Sequence, residues 1–471
     1  MLGEDVLYLS VRELGERIRK RSLSPVELTE SYLERGRTIG KRLNAYATMT
    51  PDLALEQARA AEKEIAAGKY RGPLHGIPYA AKDLLAVPGY PTTWGARPYA
   101  NQKFDYTATV IRKLQDAGAV LLGKAAMIEL AGGLGYRYAS ASLTGAARNP
   151  WNEGCWTCGS SSGSGAIVAA GMAGFAIGTE TWGSIVCPSA FCGVSGLRPT
   201  FGRVSRYGAM ALSYSMDKIG PMARTADDCG LVLSAIAGYD AQDAATLPDV
   251  QSRFSYRAAP PLKRPLRIGW LSEQWGKKAP ADVAAMAKNA VDELSKQGAA
   301  VSEAKLPDGP FEAVGGLIIG TEAASAFEKL IDSGDCAELN DAMGRVGGYI
   351  GQQIAGTDFL HGMRLRSSLQ QQMNKLFEQF DVLAASSQPV PATPIEMRLD
   401  DESFDFSDPL GGIGNLCGLP AMSVPCGFKN NLPIGVQFVG SVLADVTVVA
   451  AAHAFQQRTE WHKKHPPLKA A

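Results

Sequence analysis

CGSSSGSGAIVAAGMAGFAIGTETWGSIVCPSAFCGVSGLRP, residues 158–199, holds the densest chemistry in this chain. A Gly/Ser linker has little to bury, whereas here two Gly/Ser clusters bracket small apolar residues from Ala166 to Ile177. That run is long enough for a buried helix. Two serine-bearing loops joined by a packed helix make a site rather than a spacer.

Upstream, short apolar runs alternate with helical patterns. Ile77 to Ala81 reads as a strand, Thr107 to Ala117 as a helix and Ala119 to Leu122 as a buried strand, the alternation of an α/β fold. Before them, Ser10 with Glu13 forms a capping box, and Ser24 ahead of Pro25 and Glu27 repeats the device. Thr50-Pro51 opens a third helix reaching about Ala67. Residues 1–70 are therefore expected to be scaffold helices. Downstream, Thr225 with Asp228 caps another helix, and Tyr239 to Pro265 has the composition of a surface crossover. Leu266 to Leu271 reads as a strand and Pro280 to Gln297 as a helix. Lys305 to Phe380 suits a helical lid; Asp381 to Ala385, Ala421 to Val424 and Gly435 to Val439 read as core strands, and Val446 to Thr459 as a closing helix.

Composition excludes several classes. Lys+Arg and Asp+Glu balance at 47 each, so no global field draws nucleic acid or anionic lipid. The N-terminus has acids where a signal peptide has bases, and the longest apolar run is too short to span a bilayer, so a soluble cytoplasmic protein is expected. Eight cysteines in 471 residues fit no disulfide framework, and five histidines leave little room for a metal cage. Cys155 and Cys158 have CxxC spacing without a second pair, so reduced thiols are expected. Gly118 to Lys124 is a near-miss P-loop whose next residue, Ala125, cannot hold magnesium.

Several serines compete as nucleophile. Gly159 to Gly163 satisfies G-x-S-x-G and would make Ser161 the nucleophile of a strand-to-helix elbow. The polar loop before it is the wrong context, and His462 and His465, in a charged tail, suit a solvated surface better than a triad. Ser215 with Lys218 and Ser302 with Lys305 match S-x-x-K, without the companion motifs of that class. Ser184 lies in a tight glycine-flanked loop able to aim consecutive backbone amides at one point, as an oxyanion hole requires. A serine nucleophile needs a base. Lys82 ends a strand-like apolar run in which burial favours the neutral amine; a salt bridge to Asp83 or another carboxylate is the equal alternative.

GPLHGIPYAAKD (72–83), CGSSSGSGAIVAAG (158–171), GTETWGSIVCPSAFCGVSGLRPTFGRVSRYG (178–208) and GPMARTADD (220–228) together resemble the amidase signature family. The resemblance continues through GLPAMSVPCGF, NLPIGVQFVG and WHKKHPPL, nearly the whole chain. It implies a twisted mixed β-sheet surrounded by α-helices, one amidase domain over residues 1–471, and a signature core at 71–235. It also implies a catalytic triad of Lys82 as base, Ser160 as relay after a cis peptide and Ser184 as nucleophile. Amides of Thr181, Trp182, Gly183 and Ser184 form the oxyanion hole, and no cofactor or metal is needed. The sequence departs from the family pattern at Glu180, Trp182 and Val186; Trp182, Val186 and Cys187 are the substrate-pocket candidates.

Two functions compete. The leading one is a stand-alone hydrolase, monomeric or homodimeric, cleaving a small-molecule amide or carbamate, with aryl amides and esters in range and no nucleic-acid or membrane partner. The alternative is the amidase-like component of a tRNA-dependent glutamine amidotransferase, which passes ammonia to a partner. FGRVSRYG and DKIGPMARTADD look like that component, but its R-R-I-M-L-G-T stretch is replaced by FLHGMRLRSSLQQQMNKLFEQFD, residues 359–381. That difference puts the hydrolase first. A catalytically dead binding protein is disfavoured because all three triad positions are present.

Overall fold

The computed structural model describes residues 2–260, 265–272, 280–401 and 408–468. Thirteen strands are formed among these residues: β1 (Tyr46–Met49), β2 (Pro78–Lys82), β3 (Val120–Ala125), β4 (Arg148–Asn149), β5 (Asn152–Trp156), β6 (Phe175–Glu180), β7 (Ser195–Arg198), β8 (Lys218–Ala223), β9 (Arg267–Trp270), β10 (Ala300–Glu303), β11 (Val382–Ser386), β12 (Ala421–Lys429) and β13 (Leu432–Gly440). Eleven of them join one mixed sheet in the order β1-β3-β2-β6-β8-β7-β12-β13-β11-β9-β10, and β4 and β5 pair separately. The result is a large mixed sheet enclosed by helices, the α/β architecture that the resemblance implies. Strands β2, β3, β6, β7, β8 and β11 are buried along their whole length, as their continuous apolar runs require when helices cover both faces.

The expected caps form. Ser10 and Glu13 make a full capping box on the helix Val11–Arg19. Ser24 accepts from Val26 and Glu27 at the start of Pro25–Arg35, and Thr225 from the Asp228 amide at the start of Ala226–Ile236. Residues 1–70 are not helices alone, however: Tyr46–Met49 is an edge strand pairing antiparallel with β3. Its short length and mixed side chains carry no period in the sequence. The expected helix over Ala166 to Ile177 is also divided. The helix ends at Ala169, Gly171 takes φ +61°, and from Phe175 the chain is the buried strand β6. A left-handed glycine ends a helix at little steric cost; within an unbroken apolar run it is easily read through.

The region Lys305 to Phe380 is helical, chiefly Phe311–Ala326, Ala342–Gln352 and Gly356–Leu376. The crossover after Tyr239 contains one short helix, Asp249–Ser252, and its residues 261–264 lie outside the described residues. The tail is solvated at Lys463, Lys464 and His465, as expected, but not at His462. His462 is buried, which pushes its imidazole down to about 4, and His465 stacks on Tyr8 with ring centroids 4.2 Å apart. No helix among the described residues is long and apolar enough to cross a membrane.

Candidate active site

Lys82 ends β2 between β3 and β6, where the sheet excludes solvent from its side chain completely. Its Nζ donates to Ser160 Oγ at 2.8 Å and Thr179 Oγ1 at 2.9 Å, with the Thr179 carbonyl at 3.5 Å. Among the described residues it has no carboxylate in ion-pair contact. The neighbouring Asp83 pairs with Lys124 at 3.0 Å and accepts from the Thr93 amide and hydroxyl. Of the two fates open to Lys82, the salt bridge therefore falls to the lysine of the near-miss P-loop. Burial pulls the Lys82 ammonium down to about 7, against the opposing charges of Asp217 and Glu180.

The peptide Gly159–Ser160 is cis. Ser161, next along, is no exposed elbow: its hydroxyl donates to the Thr179 carbonyl at 3.1 Å and accepts from the Thr179 amide at 3.2 Å, fastening the loop to β6. The other serine motifs separate as well. Ser215 accepts from Arg366, Lys218 donates to the Met216 carbonyl, and Lys305 faces Asp308 at the surface.

Ser184 lies in the turn between β6 and the helix Val186–Cys192. Glu180 organises this turn. Its Oε2 accepts from the amides of Ile185 at 2.8 Å and Val186 at 3.0 Å, while Oε1 receives Arg198 at 2.7 Å and Asn415 at 2.8 Å. Burial opposes its ionisation, but the Arg198 charge and these hydrogen bonds prevail and hold the carboxyl down at about 2. Glu180 therefore performs a structural task that residue type alone did not disclose. Thr181 donates its hydroxyl to Asp217, which also accepts from the amides of Leu212 and Ser213. With these anchors fixed, Gly183 takes φ +78°, and the amides of Thr181, Trp182, Gly183 and Ser184 make no hydrogen bond to another described residue. Ser160 and Ser184 are not hydrogen bonded to each other.

A cavity of about 310 Å³ opens beside Gly159 and Gly183, walled by Tyr136, Trp156, Trp182 and Leu399. Trp182 spreads its ring against two helices, where a Cβ on Gly315 would lie 2.4 Å and one on Gly412 3.1 Å from it. Of the pocket candidates, Trp182 and Cys187 line this cavity and Val186 does not. Val186 is fully buried among Met216, Leu410 and Ile413. The reason is helical geometry: its amide faces Glu180 and its side chain turns into the core.

Sequence reading missed two features of the wall. Cys158 and Cys187 are joined in a disulfide, with Cα atoms 5.9 Å apart, so the expectation of reduced thiols throughout is corrected; the other six cysteines are buried thiols. The pairing partners are 29 positions apart, and spacing gives no hint of it. Asp408 and Gln388 also line the cavity. Asp408 accepts from Gln437 at 2.7 Å, and burial raises its carboxyl to about 7 despite that bond, while Gln388 Oε1 has no hydrogen-bond partner among the described residues. No cluster of His, Cys, Asp and Glu able to hold a metal occurs among the described residues.

The model of the amidase family matches residues 27–449, and the chain belongs to that family: it is an amidase-type enzyme acting on carbon–nitrogen bonds. Within the family, it is 36% identical to the A subunit of the glutamyl-tRNA(Gln) amidotransferase of Moorella thermoacetica, over 99% of this chain and 100% of that one. The crystal structure of the same-named subunit of Thermotoga maritima superposes with a TM-score of 0.80 at 27% identity, covering 100% of both chains. The native peptide amidase of Stenotrophomonas maltophilia gives a TM-score of 0.84 at 31% identity over 98% of each chain.

These matches correct two expectations. The end-to-end similarity to a named amidotransferase component overturns the preference for a stand-alone amide or carbamate hydrolase. A relative that is one part of a larger enzyme, and whose name carries a tRNA, likewise removes the expectation of a lone or homodimeric enzyme without a nucleic-acid partner. Weighting the substituted stretch at 359–381 above the rest of the chain is what misleads. That stretch forms one helix, Gly356–Leu376, together with its exit, and local divergence there is compatible with similarity over the whole chain.

Proposed function

We propose that this chain is the amide-hydrolysing component of a tRNA-dependent amidotransferase, releasing ammonia from glutamine for a partner subunit that amidates an aminoacyl-tRNA. The observation that carries this reading is the full-length match to the Moorella protein. The site supports its chemistry.

In this reading Lys82, with its pKa near 7, is substantially neutral at physiological pH and accepts a proton from Ser160 as Ser160 takes one from Ser184. Closing that relay requires the two serines to approach when substrate is bound, as catalytic contacts commonly do. Ser184 Oγ adds to the donor amide carbon, and the four unpartnered amides of residues 181–184 receive the oxyanion. The relay runs backwards to protonate the leaving nitrogen, ammonia departs, and water cleaves the γ-glutamyl ester by the same route. Asp408 and Gln388 present acceptors to the α-ammonium group of glutamine from the cavity wall. Trp182 contributes its amide to the oxyanion hole, and its ring separates the cavity from the helix Phe311–Ala326. The chain acts as one amidase domain, with the helices of 305–380 as its substrate-side cover.

Reconstitution tests the proposal. Glutamine-dependent amidation of glutamyl-tRNA by this chain with its partner subunits is expected, and Ser184→Ala and Lys82→Ala should each abolish it in folded protein. Wild-type-like amidation by either variant, or no glutaminase activity under any combination of partners, would overturn it.

A further inference from the structure

We propose that the cystine Cys158–Cys187 is a positioning element for the two serines, and that its reduction switches the site off. This rests on the reading of Ser160 and Ser184 as the reacting pair.

The bond lies between the two loops that have to cooperate. Cys158 stands two residues before Ser160, and Cys187 three residues after Ser184. Cys187 is in the first turn of the helix Val186–Cys192, and its amide donates to the Gly183 carbonyl at 2.8 Å, closing the turn that displays Ser184. Each loop has its own anchors: Ser161 to Thr179 for the first, Glu180 to Ile185 and Val186 for the second. The cystine ties the loops to each other covalently, across the wall of the substrate cavity.

Cys158 has φ +62°, a left-handed conformation that a residue with a Cβ adopts only when its surroundings hold it there. With the sulfur bond intact, relaxation of this backbone is tied to movement of the helix behind Ser184. Once it is broken, Cys158 can return to a negative φ and carry Ser160 with it. An acyl transfer that depends on a serine-to-serine proton transfer is sensitive to such a shift, since a misplacement of about 1 Å costs on the order of a hundredfold in rate.

The bond is also reachable. Cys158 and Cys187 both line the 310 Å³ cavity, so a small thiol enters by the path of the substrate. A dithiol completes the chemistry. Its thiolate attacks one sulfur, the other cysteine leaves as a thiolate and takes up a proton, and the second dithiol sulfur displaces the mixed disulfide. Two electrons and two protons pass to Cys158 and Cys187, and the dithiol becomes a cyclic disulfide. Cys155 does not serve as an internal exchanger, because burial raises its thiol above the ordinary range and keeps it protonated.

The test reads Ser184 itself. Labelling of Ser184 by phenylmethanesulfonyl fluoride is followed by mass spectrometry in oxidised protein, in protein reduced with dithiothreitol, and after reoxidation with glutathione disulfide, with free thiols counted in each state. Reduction should slow labelling about a hundredfold, and reoxidation should restore it. The folded double variant Cys158→Ser/Cys187→Ser should label slowly with and without dithiol; if it does not fold, the wild-type redox cycle decides alone. Equal labelling rates in oxidised and reduced wild type, with two extra thiols confirmed, overturn this proposal only. Absence of Ser184 labelling in oxidised protein overturns the reading of the serine pair and this proposal with it.

Discussion

Lys82 shows how a single residue acquires chemistry from its surroundings. A lysine at the surface is protonated and useless as a base; this one, enclosed by strands and touching only hydroxyl and carbonyl oxygens, has its pKa pulled to about 7. In the proposed relay the neutral form is the active one, so glutaminase kcat should rise with pH through about 7 and level off roughly one to two units above it. A chemistry-limited rate flat from about pH 6 to 9 would contradict this assignment. Asp408 yields a separate expectation. If it holds the donor's ammonium, Asp408→Asn should raise KM for glutamine about tenfold or more, the cost of one hydrogen bond to a charged group, while kcat changes less. Lys82 was legible because a strand-like run ends on it, although the run alone left its partner undecided between a serine and a carboxylate. Asp408 was not legible: nothing in its neighbourhood in the sequence marks a buried acid, and only the fold brings it beside Gly159 and Gly183.

At the scale of elements, the turn that carries Ser184 is held by an ion pair beneath it. Glu180 ends β6, Arg198 ends β7, and both are completely buried with 2.7 Å between them. Glu180→Gln would leave the guanidinium uncompensated, so a loss of about 3–5 kcal/mol in unfolding free energy is expected, read by denaturant titration. The same variant should lower kcat, because the amides of Ile185 and Val186 lose their carboxylate. The pH dependence follows in sign: the folded value near 2 lies below the ordinary 4.5, so this contribution is complete above about pH 4.5 and fades as pH falls toward 2. Elements with chemical punctuation were readable in advance. Ser10, Ser24 and Thr225 mark helix starts because a side-chain oxygen must satisfy the first free amides. Strand β1 escaped because four half-buried residues at a sheet edge produce no periodicity, and the helix-to-strand change near Gly171 escaped because both sides are equally apolar.

For the whole molecule, one sheet threads strands from residue 46 to residue 440, so Lys82 on β2 and the loops bearing Ser160 and Ser184 are fixed by the same framework that carries the C-terminal half. The disulfide adds to that framework. Closing a loop of 29 positions restrains the unfolded chain by about 3–4 kcal/mol in the chain-entropy account. Family membership was readable from long ordered motifs. The choice between a lone hydrolase and one component of a larger enzyme was not, because that choice depends on surfaces facing other molecules, and a single substituted helix says little about them. What unites the scales is a single chemical claim, that Ser184 takes the γ-glutamyl group of glutamine before ammonia is passed on. Rapid quench of the assembled enzyme with glutamine, followed by peptide mass spectrometry, measures it directly. The account predicts a γ-glutamyl ester on the peptide containing Ser184, absent from Ser184→Ala; an acyl group on Ser160 or Ser161 instead, or turnover with no acyl-enzyme under conditions where deacylation limits the rate, would contradict it.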